Sequence, residues 1–66
     1  MTRELAERTA RATSKVVKET IHVVEVDDRD SRGCYTSRGD HYINSDEFEA
    51  FNGEVLCSYY NGKLVD

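Results

Sequence analysis

Asn61-Gly62 stands between the segment 54–60 (Glu-Val-Leu-Cys-Ser-Tyr-Tyr) and Lys63-Leu64-Val65. That dipeptide between two strand-forming segments is the strongest short hairpin signal, because both residues tolerate the positive φ that a two-residue loop demands. Such a loop fixes the register, with Tyr60 opposite Lys63 and Tyr59 opposite Leu64. Val55, Cys57 and Tyr59 then share one face with Leu64, and that face is expected to be buried. A single hairpin does not hold itself together in water, so the remaining residues must supply more sheet and a cover for it.

They do so in two ways. Ile21-His22-Val23-Val24-Glu25-Val26 is rich in β-branched side chains and reads as a strand. Residues 2–19 read as a helix. At 100° per residue, Arg8, Arg11, Lys15 and Lys18 form one narrow basic stripe, and Leu5, Ala6, Ala10, Ala12, Val16 and Val17 lie on the other side. Thr2 is the candidate N-cap. Glu4 precedes Arg8 by four residues and Glu7 precedes Arg11 by four, the favourable order for helix ion pairs. Most of the apolar side is alanine or valine of small area, so this helix needs a sheet to lie on. The Val16-Val17 pair leaves its end ambiguous with an extended segment.

The middle of the chain is rich in turn formers. Residues 27–31 read as a polar, acidic turn. Ser31-Arg32-Gly33-Cys34-Tyr35 is echoed by Ser37-Arg38-Gly39-Asp40-His41-Tyr42. The echo is too short for a solenoid repeat and predicts a hairpin, with strands at 33–36 and 41–43 and Gly39 supplying positive φ. Asn44 or Ser45 then caps a short helix at 45–51, with Asn44 and Glu47 spaced as a capping box. Asp46 and Glu47 occupy the first turn, where the helix dipole favours them. Asn52-Gly53 is a stop signal, and Phe48 and Phe51 are expected in the core. The pattern predicts one small α+β domain spanning residues 1–66. Its N-terminal helix and short helix pack on one face of an antiparallel sheet of about three to five strands.

At 66 residues the core is small, and scaffolds of this size usually add a disulfide, a metal or a second copy. Homodimerisation is one such route. No apolar run reaches the length of a membrane span and no apolar block follows the N-terminal charges. The expectation is therefore a cytoplasmic protein (host cytoplasm if encoded by a phage) with reduced Cys34 and Cys57, although one disulfide between them is the alternative.

Charge is divided unevenly. Residues 1–20 carry five basic groups against three acids, and residues 21–66 carry four against ten, for a net charge of −4. No cofactor fingerprint and no catalytic motif is present, so the expectation is a protein without enzymatic activity. His22, Cys34, His41 and Cys57 are zinc-type ligands, but their spacings of 12, 7 and 16 lack the close pairs of structural sites. A zinc-stapled module is kept as a third reading. Asp28-Arg29-Asp30-Ser31-Arg32-Gly33 begins like an EF-hand loop, yet Arg32 stands where an acid is needed and Gly39 where the closing Glu belongs. Cys34 with His41, or Cys57 with His22, are the pairs from which a thiol dyad could be built. Arg38-Gly39-Asp40 matches the integrin-binding tripeptide and reads as a turn.

The acidic half is the stronger lead to a partner. Asp27, Asp28, Asp30, Asp40, Asp46, Glu47 and Glu49 form the expected contact set, with Tyr35, Tyr42 and Tyr60 as anchors. Carboxylates crowded on so small a surface repel nucleic acid and attract basic surfaces. In format the chain is similar to small mobile-element inhibitors such as anti-CRISPR and anti-restriction proteins, a likeness of size and charge rather than of motif. The expected partner is a protein with a basic, nucleic-acid-binding surface, with no membrane involved and no direct binding of nucleic acid. The second reading is a small dimeric regulator that touches DNA or RNA through Arg8, Arg11, Lys15 and Lys18.

Overall fold

The computed structural model describes residues 2–26, 34–50 and 53–65. The acidic turn at 27–31, with Asp27, Asp28 and Asp30, the EF-hand-like segment through Gly33, and Phe51 lie outside the described residues.

The N-terminal helix α1 runs Arg3–Val16. Thr2 caps it, its Oγ1 accepting the Leu5 N–H at 3.2 Å. The helix stops three residues before the expected end because Val17 is already extended, its N–H still bonded to the Thr13 carbonyl. Ala6, Ala10 and Ser14 form the buried stripe, one residue every four. Of the six apolar residues expected on that side, Leu5, Ala12, Val16 and Val17 are exposed. Leu5, Ala12 and Val16 fall on a flank roughly 100° from the Ala6–Ala10 stripe at 100° per residue, and that flank is left in water.

Four strands follow: β1 (Ile21–Val26), β2 (Cys34–Gly39), β3 (Glu54–Tyr60) and β4 (Lys63–Val65). The sheet order is β2-β1-β3-β4 and every pairing is antiparallel. The apolar strand β1 therefore lies at the centre, and its residues Ile21, Val23 and Val24 are buried. Ile21 and Val23 meet Ala6, Ala10 and Tyr59 in the core, with Tyr35, Leu56 and Cys57 packed around them. Alanines at the contact let the helix axis approach the sheet closely. The β1–β3 register shifts between Val23 and Val24.

The expected hairpin at 33–43 does not form. Cys34–Gly39 is one continuous strand paired with β1 along its length, and Asp40–Ile43 is a short helix, α2. Gly39 has φ −73° and ψ 164°, extended values, and does not take the positive φ that the expected turn required. A Cβ on Gly39 would lie 2.9 Å from Glu19 Oε1 and from the His41 ring, so the glycine serves close approach instead.

A second short helix, α3, spans Asp46–Glu49. Its cap is Ser45, whose Oγ accepts the Phe48 N–H. The Asn44–Glu47 box is not made, because Asn44 closes α2 and its Nδ2 donates to the Asp40 carbonyl at 3.1 Å. Phe48 is half-buried rather than part of the core cluster and stands edge-on to Tyr42, ring centres 5.9 Å apart.

The C-terminal hairpin has the expected register. Asn61 at φ 53° and Gly62 at φ 78° make the turn. The expected burial is only half realised. Cys57 and Tyr59 face α1, but Leu64 remains 61% exposed and Val55 36%. The helix lies over β1, β2 and β3, so β4 is left uncovered, and Val55 falls beyond the β1–β3 register shift.

One hydrogen-bonded link joins the turn to the helix. Gly62 N–H donates to Ser14 Oγ at 2.8 Å, and Ser14 Oγ–H donates to the Arg11 carbonyl at 2.8 Å. Ser14 is the one buried polar side chain among the described residues. Ser14→Ala strands the Gly62 N–H and is expected to cost about 1–2 kcal/mol in urea unfolding. Gly62→Ala adds strained φ and a Cβ only 2.4 Å from the Lys15 side chain. It is expected to cost at least about 1 kcal/mol in the same assay.

Candidate functional site

The acidic residues that the structure brings together lie on α2 and α3. Asp40 is at the first position of α2, and Asp46, Glu47 and Glu49 make up three of the four residues of α3. All four are exposed. Between the two helices Ser45 Oγ–H donates to the Tyr42 carbonyl at 2.6 Å.

This corner is tied to the sheet by two histidine–carboxylate contacts. His22 Nε2 lies 3.0 Å from Asp40 Oδ1, and His22 Nδ1 lies 2.6 Å from Ser58 Oγ. A carboxylate only accepts, so Nε2 carries the proton. In the neutral ring Nδ1 is then the acceptor, and Ser58 donates its hydroxyl. The second contact is double: the backbone N–H of His41 and its Nδ1–H both donate to Glu19 Oε1, at 2.8 and 2.7 Å. A main-chain bond completes the attachment, from Asp40 N–H to the Thr20 carbonyl at 3.0 Å. Arg38, opposite His22 in the β1–β2 register, lies over the Tyr42 ring, 5.5 Å from its centre. His22 alternates with the inward Ile21 and Val23, so His22, Arg38 and Ser58 lie on the sheet face turned away from α1. The two helical pieces therefore do not share one face, as the sequence had suggested.

Ser58, His22 and Asp40 are ordered as a hydroxyl–imidazole–carboxylate chain. Chemically it holds a proton on Nε2 and orients the serine. Ser58 sits inside β3 with register partners on both sides, His22 and Val65. Its main-chain groups belong to the sheet rather than to an oxyanion site. Its evident work is to position Asp40 and hence the start of α2.

The hydrogen bonds from the His41 main chain and ring hold the Glu19 carboxyl below its ordinary value of 4.5. Burial pushes the Cys57 thiol up, and the nearby Glu7 carboxylate pushes the same way. Cys57 Sγ donates to Glu7 Oε1 at 3.8 Å, on the α1 side of the sheet. Cys57 and His22 are thus on opposite faces and form no dyad. Cys34 and His41 are separated by the length of β2. Cys34 and Cys57 lie on strands that flank β1, roughly 9–10 Å apart across two strand spacings, beyond disulfide reach. Both are free thiols. No group of three metal-type ligands exists among the described residues.

Of the sequence-predicted contact residues, Asp40, Asp46, Glu47, Glu49 and Tyr42 share the α2–α3 corner. Tyr35 is half-buried on β2 and packs against the core. Tyr60 is exposed at the end of β3, beside Lys63. On the basic stripe of α1, Arg8 lies 3.9 Å from Glu4 and Arg11 lies over Tyr59; Glu7 pairs at 3.5 Å with Arg3, off the stripe, rather than with Arg11 as its spacing suggested. Sequence reading singled out His22 and His41 only as zinc-type ligands or dyad partners, and missed their contacts with Asp40 and Glu19 and the part of Ser58. The available signal was His22 alternating with inward β-branched neighbours, which marks it for the opposite face.

No family model, curated protein or solved structure matches this chain. No helix among the described residues is long and apolar enough to cross a membrane.

The Glu19 contact predicts a pH signature. Its folded pKa lies below the unfolded one, so the folded state binds fewer protons and the contact stabilises above pH 4.5. That contribution drains away as pH falls through the lowered value. Glu19→Gln should therefore lower stability at neutral pH and cost progressively less as pH falls below the ordinary carboxylate range, as followed by thermal melts across pH. Gly39→Ala should reproduce the loss at neutral pH by pushing Glu19 and His41 apart.

Proposed function

We propose that this chain is a small, non-enzymatic binding protein that inhibits a nucleic-acid-handling protein by occupying its basic surface with carboxylates. The single supporting observation is α3. Three of its four residues are exposed acids, no basic residue shares the helix, and the corner that carries it is held to the sheet by His22 and His41. Pre-positioned carboxylates lose little freedom on docking, and a surface of one sign steers association with the opposite sign. Tyr42, beneath Arg38, adds an aromatic edge to the same corner. The acids of 27–30 extend the negative character of the chain in sequence. The protein class in view is the one to which small mobile-element inhibitors of nucleases belong. The alternative, α1 as a nucleic-acid reader, is weakened by Glu4 beside Arg8 on its stripe and by the net charge of −4.

The test is capture of partners from host lysate with the tagged protein, with and without phage infection. Recovery of a nuclease, polymerase or related protein, displaced by competing DNA, is the expected outcome. Asp46→Lys, Glu47→Lys and Glu49→Lys together should weaken that complex at least about tenfold without altering the circular dichroism spectrum. Asp27→Lys, Asp28→Lys and Asp30→Lys form a second triple variant, which asks whether the segment before β2 adds to the surface. Unchanged affinity in both would overturn the assignment. Recovery of nucleic acid with steep salt dependence would turn attention to α1.

A further inference from the structure

The end of α1 opposite its N-cap carries the most conspicuous uncovered surface of the molecule. Val16 is 83% exposed and Tyr60 48%, and with Val17 they line a groove of about 400 Å³ between the helix end and the Asn61-Gly62 turn. Lys15 and Lys18 line it too, and among the described residues no carboxylate does. Lys63 stands opposite Tyr60 in the hairpin. In a chain of net charge −4, this is a locally positive groove with an apolar floor.

Its complement is on the same chain. Asp46, Glu47 and Glu49 project from α3 with no basic residue on that helix. The helix end leads through Glu19 and Thr20 into Ile21, and Thr20 accepts the N–H that starts α2, so the groove and the start of α2 adjoin one end of the sheet. Opposite charge pairs each groove with the α3 of a second copy across a two-fold axis. Such an interface is isologous and closed, so it makes a dimer rather than a fibre. Groove against groove would instead place lysines on lysines.

The size of the core points the same way. The buried cluster on the α1 side holds five residues, two of them alanine. The two thiols sit on strands separated by β1 and cannot bridge within the chain. A second copy is one of the staples open to a scaffold of this length. We infer that this protein self-associates as a two-fold dimer in which the Val16–Val17–Tyr60 groove, rimmed by Lys15 and Lys18, receives the acidic α3 of the second copy. The inference concerns a second copy of this chain and does not rest on the inhibitor reading; because both use α3, a dimer must release that helix before it can dock on another partner.

Analytical ultracentrifugation of the purified full chain tests it without any partner, so its failure is distinct from failure of the inhibitor reading. The wild type should dimerise at high micromolar concentration and dissociate as salt rises. Lys15→Glu with Lys18→Glu should weaken the dimer about tenfold, as should Asp46→Lys with Glu47→Lys and Glu49→Lys. Mixing those two variants restores opposite charge at both contacts, so native mass spectrometry should recover a heterodimer from two weak self-associators. Lys18→Glu alone, beyond the helix end, gives a milder variant for the case in which the double substitution perturbs folding. A monomeric wild type overturns the proposal. So does a dimer indifferent to charge reversal, and so does a mixture of folded variants that stays monomeric.

Discussion

The close seat of α1 on β1 is the contact on which the rest of this structure depends. Ala6 and Ala10 are fully buried, and small side chains there bring the helix down onto Ile21, Val23 and Tyr59. A larger residue at either position would lift the helix. Ser14, one turn further on, would then lose its reach to the Gly62 N–H, and the C-terminal hairpin would lose its tie to the helix. Lys15 lies across the same turn, so close that only glycine fits at 62. Close packing, the Ser14 bond and the turn conformation are therefore one cooperative arrangement rather than three separate contributions.

Elements set by neighbours in sequence were legible before the structure. Thr2 as cap, β1 at 21–26 and the Asn61-Gly62 turn depend on residues within a few positions of one another, and their register follows from the turn alone. The segment 33–43 was misread because Gly39 fits two roles. A positive φ would have closed a local hairpin. Instead Gly39 stays extended, because β2 gains a full ladder with β1 and because Glu19 and His41 meet in the space a side chain would fill. Non-local pairing outweighed the local turn signal. Leu64 was misread for a related reason: alternation assigns its face correctly, but alternation does not tell how far a helix extends across a sheet.

The site was legible only as composition. The acids were visible and their surplus was countable, but their attachment was not. His22 meets Asp40 across 18 positions of sequence and Ser58 across 36, and no pattern in a single chain encodes those distances.

That attachment changes what the acidity means. Asp40 and Glu19 are held by histidines, and Glu7 and Glu4 are drawn toward Arg3 and Arg8. These carboxylates are engaged by neighbours on the same chain, and hydrogen bonds and nearby cations damp their outward field. Asp46, Glu47 and Glu49 are different, since they share a short helix without a basic side chain and reach into solvent. At physiological ionic strength fields decay over about 8 Å, so a partner senses the nearest cluster and not the net charge of the chain. The same screening lets the lysines beside Val16 and Tyr60 present a positive surface on an acidic protein. The described surface thus carries two local clusters of opposite sign, the carboxylates of α3 and the lysines beside Val16 and Tyr60.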